Sequence, residues 1–211
     1  MGLFAKLTFL FKKPSIIIVT GTFRQTAAEA IFKVLKSSFR VKKIKKKPDI
    51  FDSLGKNVLI WSAKEKELDT VFPFIKDSKK PVLVITNIND TVQETSQIKK
   101  LVAKIPSNGS LILNFDGKVA KEIMGEVEVS TLTFGLQEGA DFLATDIKEI
   151  YGELAKSNRG TNFKINYEGN IVPFWLKNIL GKEHIYAALS ATALGLVFGL
   201  NLVDVSQSLK N

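Results

Sequence analysis

The sequence holds one histidine, His184, and no cysteine. A Ser-His-Asp triad would have to use that imidazole, and no Gly-x-Ser-x-Gly turn presents a serine to it. Without cysteine, thiol catalysis, disulfides and thiolate metal sites are excluded, and no histidine cluster has metal-ligand spacing. Asp116, Asp141 and Asp146 are the remaining acid/base candidates, each near the end of an apolar run, the ordinary position of a solvated carboxylate. No loop carries an intact phosphate-binding lysine. The clearest charged feature is cationic: Lys42, Lys43, Lys45, Lys46 and Lys47, expected to project from an exposed loop after a strand, in a chain with 30 Lys and Arg against 21 Asp and Glu. That excess favours acidic partners such as a protein face, anionic lipid or a nucleotide. No aromatics interleave the run to stack bases, so nucleic acid is not expected.

These residues need elements to hold them. The 211 residues, 45% of them apolar, suffice for one sizeable core. Apolar, β-branched runs alternate with amphipathic stretches of helical length, the pattern of βαβ units. Ser15 to Thr20, Asn57 to Ser62, Pro81 to Thr86 and Gly109 to Asn114 read as buried strands. Helices are expected over Thr26 to Ser37, about Lys66 to Ile75 and about Glu94 to Lys104. Shorter strands follow at Val127 to Phe134, Asp141 to Lys148, Thr161 to Tyr167 and Ile171 to Leu176, the last two joined by a hairpin turn at Glu168-Gly169-Asn170. The fold class is therefore α/β, a mostly parallel sheet flanked by helices with a small additional β region. It forms a single domain over residues 14 to 211 behind an N-terminal amphipathic helix over residues 1 to 13.

Two segments bear on membranes. Met1 to Lys13 places Leu3, Phe4, Leu7, Leu10 and Phe11 at roughly helical spacing, but Lys6 interrupts any signal-peptide core. It reads either as a helix packed on the domain or as an interfacial helix on anionic headgroups. Ile185 to Val203 carries no acidic or basic residue and spaces Gly195 and Gly199 as GxxxG, yet Ser190, Thr192 and Asn201 dilute it. A buried core helix is expected, followed by Val203 to Leu209 as the start of another helix.

The order of motifs resembles the central, ATP-binding domain of the Mur ligases. Ile18-Val19-Thr20-Gly21-Thr22 followed by a helix resembles the strand that enters that family's GTNGKT(T/S) phosphate loop. Ile85-Thr86-Asn87-Ile88 resembles its ITNI strand end, and Leu113-Asn114-Phe115-Asp116 its following Asn-and-Asp segment. Thr133-Phe134-Gly135, Ala140-Asp141 and Asp146-Ile147 resemble the D-alanyl-D-alanine-adding branch, and Gly181 to Tyr186 resembles the adenine-binding helix. The resemblance covers residues 14 to 209 and implies a P-loop-like central domain.

It also implies where chemistry has been lost. Gly21, Thr22, Arg24, Gln25, Thr26, Asn114, Asp116 and His184 form a vestigial nucleotide-binding set, with Arg24 in place of the loop glycine and Gln25 in place of the phosphate lysine. The family's metal-side acid falls near Trp61, its histidine at Val92, its carbamylated lysine near Ile98 and an adenine-side asparagine at Ala187. No catalytic or metal residue is assigned, and ATP with magnesium is expected to bind weakly at most. The resemblance also leaves the family's UDP-binding and C-terminal domains without counterparts in this chain. It implies a non-catalytic binding or scaffolding protein linked to peptidoglycan synthesis, cytoplasmic or peripheral to the inner membrane face, with a cell-wall protein as partner. Two alternatives are an ATP-binding ligase component completed by another chain, and a peripheral membrane or polyanion-binding protein that uses the five lysines.

Overall fold

The computed structural model describes residues 14–44, 55, 57–88, 91–152 and 159–210. The amphipathic segment 1 to 13 and Lys45, Lys46 and Lys47 lie outside the described residues.

Ser15–Thr20 forms β1, whose side chains alternate between two cores: Ile17 and Val19 enter one, Ile16 and Ile18 the other. A strand buried on both faces reads as an unbroken apolar run, which is what parallel strands between two helical layers require. Val41–Ile44 (β2), Val58–Ser62 (β3), Pro81–Ile85 (β4), Ser110–Asn114 (β5) and Ser130–Gly135 (β6) complete the parallel frame in the order β2-β3-β1-β4-β5-β6. Arg24–Leu35 (α1), Leu68–Lys76 (α2), Val92–Val102 (α3) and Lys118–Met124 (α4) connect the strands. Phe142–Ile150 (β7) joins β6 in parallel, and Gly160–Tyr167 (β8) and Asn170–Lys177 (β9) follow antiparallel. The additional β region is thus not a separate unit, because Phe134 pairs with Phe142 and carries the sheet onward to nine strands.

Lys182–Val197 (α5) and Leu202–Leu209 (α6) join α1 on one face, while α2, α3 and α4 cover the other. The apolar helix expected to run from Ile185 to Val203 therefore ends at Val197, and the following helix begins at Leu202. Gly199 takes φ +80°, conformational space that suits glycine, and the Leu200 amide turns back to the Gly195 carbonyl (2.9 Å). Asn201 then caps α6 by accepting the Asp204 amide (2.8 Å). Val203 falls in α6 and is 55% exposed. Among the described residues, no helix is long and apolar enough to cross a membrane.

Other boundaries shift for local reasons. α1 starts at Arg24 rather than Thr26, because the Ala27 amide already donates to the Phe23 carbonyl (3.0 Å) and closes a turn. α4, with seven residues, is too short to show a helical period. Lys42 and Lys43 stand within β2, paired in register with Leu59 and Ile60, rather than in a loop after a strand. Lysines on an edge strand discourage further pairing, and Lys43 is engaged internally, ion-paired with Glu29 and 4.8 Å above the Phe32 ring.

Candidate functional site

The site lies at the carboxyl ends of β1, β4 and β5, where open α/β sheets place their ligands. Gly21 leaves β1 with φ +97°, and a Cβ there would stand 2.5 Å from Thr86 Oγ1 and 2.7 Å from the Asn87 carbonyl. Only glycine admits that approach. The turn is stitched to the end of β4: the Thr22 amide donates to the Asn87 carbonyl (2.7 Å) and the Phe23 amide to Thr86 Oγ1 (3.2 Å). The Thr86 hydroxyl in turn donates to the Thr20 carbonyl (2.8 Å). Arg24 opens α1 and folds its guanidinium back, Nη1 donating to the Gly21 carbonyl (3.3 Å). Gln25 and Thr26 follow and line a cavity of about 870 Å³ with Arg24, Lys43, Ser62 and His184.

At the end of β5, buried Asn114 accepts the Asp116 amide through Oδ1 (3.0 Å). Asp116 uses both carboxylate oxygens: Oδ2 accepts the Leu136 amide (2.8 Å) and the Tyr186 hydroxyl (2.7 Å), and Oδ1 accepts the Gln137 amide (3.0 Å). Tyr186 stacks on Phe23 with centroids 6.1 Å apart and planes at 12°, linking α5 to the turn. Burial, reinforced by the bond to Asp116, holds the Tyr186 phenol well above its ordinary pKa. The His184 amide donates to the Gly181 carbonyl (3.1 Å), and its Nε2 lies 3.3 Å from Glu183 Oε1. Glu149 accepts the Gly181 amide (2.9 Å) and the Tyr151 hydroxyl, and the Tyr151 bond, then that amide, keep its carboxyl below the usual range.

Sequence relatives and solved structures agree on what this frame is. UDP-N-acetylmuramate–L-alanine ligase from Alkaliphilus metalliredigens is 28% identical over 112 residues, 53% of this chain and 23% of that protein. The ligase of the same name from Caldicellulosiruptor bescii aligns over 210 residues at 23% identity, covering 92% of this chain and 44% of its own length. The chain is a homologue of the Mur ligases. A D-alanyl-D-alanyl ligase of this family from Acinetobacter baumannii superposes with a TM-score of 0.77 at 17% identity, over 96% of this chain and 46% of that one. MurF ligase from Thermotoga maritima, solved in complex with ADP, gives a TM-score of 0.72 at 16% identity over 96% of this chain and 51% of that one. The chain thus spans about half the length of the Mur ligases it matches. No family model matches it.

The positions that the resemblance singled out lie in the core or at the surface. Trp61 is buried edge-to-face on Phe74 (5.9 Å), and its Nε1 has no partner among the described residues. Ile98 and Ala187 are 1% and 2% exposed. Lys99 turns outward to Glu122 (2.9 Å) and Glu126 (3.0 Å), with its pKa raised chiefly by Glu122. Asp141 accepts the amide and hydroxyl of Thr133 (both 2.7 Å), and Asp146 pairs with Lys164 (2.7 Å). The structure gathers Arg24, Gln25, Thr26, His184 and Lys43 around one cavity; Asn114 and Asp116 are not among its lining residues, and Asp116 is bonded to Tyr186. Lys42 does not line that cavity. Tyr186 falls within the Gly181 to Tyr186 motif, but nothing local in the sequence marks its pairing with Phe23 across so much chain.

Proposed function

We propose that this chain is a non-catalytic Mur-ligase-like domain, a cytoplasmic binding or scaffolding module of peptidoglycan synthesis whose partner is a protein of the same machinery. One observation carries this reading: the polar groups at the strand ends are bonded to one another. The Thr22 and Phe23 amides go to β4, the Arg24 guanidinium to Gly21, and both Asp116 oxygens to the chain itself. The residues present do not fit magnesium-ATP. Gln25 brings no charge to a phosphate, and the described residues contain no group of three or more His, Asp or Glu able to hold a metal. The link to peptidoglycan rests on the homologous ligases named above.

The test is calorimetric titration of the full chain with magnesium-ATP. No heat of binding is expected at submillimolar nucleotide, and a submillimolar Kd would end this reading. Arg24→Gly with Gln25→Lys should restore measurable phosphate affinity, because Gly21 still bends the turn. A second reading, a residual nucleotide binder completed by another chain, is favoured by Ser62, whose buried hydroxyl lines the cavity with no partner among the described residues. It predicts binding by the unaltered chain in the same titration.

A further inference from the structure

A second cavity, of about 840 Å³, opens at the amino ends of β1, β3 and β4, the opposite end of the sheet from the turn. Six residues of β1 separate the two ends by roughly 20 Å, so neither cavity belongs to the other. Among the described residues, three cations line it, Arg40, Lys79 and Lys80, and no Asp or Glu does. Arg40 and Lys79 are exposed, and neither enters an ion pair with another described residue. Lys80 is fixed at the wall, donating to the Val197 carbonyl at the end of α5 with its Nζ 5.3 Å from the Phe198 ring. Asn108 supports the rim by donating Nδ2 to the Lys79 carbonyl (3.2 Å). One side is apolar, where Phe39 and Phe198 meet edge-to-face at 5.5 Å.

From this arrangement we infer that the amino-end cavity binds a phosphate-bearing ligand with an apolar portion. A concave surface lined by one sign of charge focuses the field, and an unpaired guanidinium offers a planar fork to an oxyanion. Three described cations on one concave wall suit a phosphate, which carries more charge than a lone carboxylate. The aromatic pair supplies a wall for the ligand's apolar part. The inference is independent of the state of the turn at the other end of the sheet.

Two sources could present such a group, an anionic lipid headgroup and a soluble phosphate ester. The full chain is therefore titrated with phenyl phosphate, and separately co-sedimented with phosphatidylcholine vesicles with and without phosphatidylglycerol. The cavity variant is Arg40→Ser with Lys79→Ser. Its control, Lys100→Ser with Lys121→Ser, removes the same charge from exposed positions on α3 and α4. At low ionic strength the cavity variant should lose about tenfold or more in affinity while the control stays within about twofold. Binding of phenyl phosphate that is lost in the cavity variant alone assigns a soluble ester, and binding confined to phosphatidylglycerol vesicles with the same pattern assigns a headgroup. The inference is overturned if the wild-type chain retains neither probe, or if the control loses as much as the cavity variant.

Discussion

At the carboxyl end of the sheet, the amides of Thr22 and Phe23, the hydroxyls of Thr86 and Tyr186 and the carboxylate of Asp116 all find partners within the chain. At the amino end, Arg40 and Lys79 face a cavity and pair with no described residue. Both ends hang on the same strands, so the difference lies in the connections. Networks whose members satisfy one another hold a turn in one conformation, while unpaired surface cations add little to stability and remain available to a ligand. A fold can thus keep its architecture while one end closes on itself, which is why fold alone does not dictate activity.

The largest effect that would break this contrast is expected at Gly21. Gly21→Ala forces a Cβ into Thr86 and Asn87 at φ +97°. It should cost about 3 kcal/mol or more, read as a lower urea midpoint; an unchanged midpoint would mean the turn is not pinned to β4. Asp116→Ala strands the Tyr186 hydroxyl and the Leu136 and Gln137 amides. A loss of about 2–3 kcal/mol is expected by the same measurement.

Tyr186→Phe removes one of those bonds and should cost about 1 kcal/mol at neutral pH. It also carries a pH signature. The folded phenol is held above its unfolded pKa, so its stabilisation is complete below about pH 10 and fades as pH rises through the folded value. Tyr151 and Tyr167 are raised too, so the readout is the difference between wild type and Tyr186→Phe, which should shrink in strong alkali. The smallest effect belongs to the amino end: Arg40→Ser with Lys79→Ser should change stability by about 0.5 kcal/mol or less. A larger loss would show these cations to be structural.

Much of the fold was legible because it is written in local patterns. The runs Ser15–Thr20 and Ser110–Asn114 are buried on both faces, and an unbroken apolar stretch between turn residues signals that directly. A lysine run carries no periodicity, so nothing in it disclosed that Lys42 and Lys43 hydrogen-bond through their backbone to β3 as part of an edge strand. The apolar stretch of α5 likewise hid its end, because Gly195 and Gly199 look alike in sequence while only Gly199 adopts positive φ.

The candidate site divides the same way. Residue order by itself determined the α/β frame and the Gly21 turn between strand and helix, since these depend on neighbours along the chain. Only the tertiary structure decided what the polar groups do. Asp116 meets Tyr186 across 70 residues, Thr86 lies beneath a turn 63 residues away, and Arg40 and Lys79 reach one cavity from separate connections. Hydrogen bonds and charge fields depend on separations in space, and those exist only once two apolar cores have drawn the strand ends together.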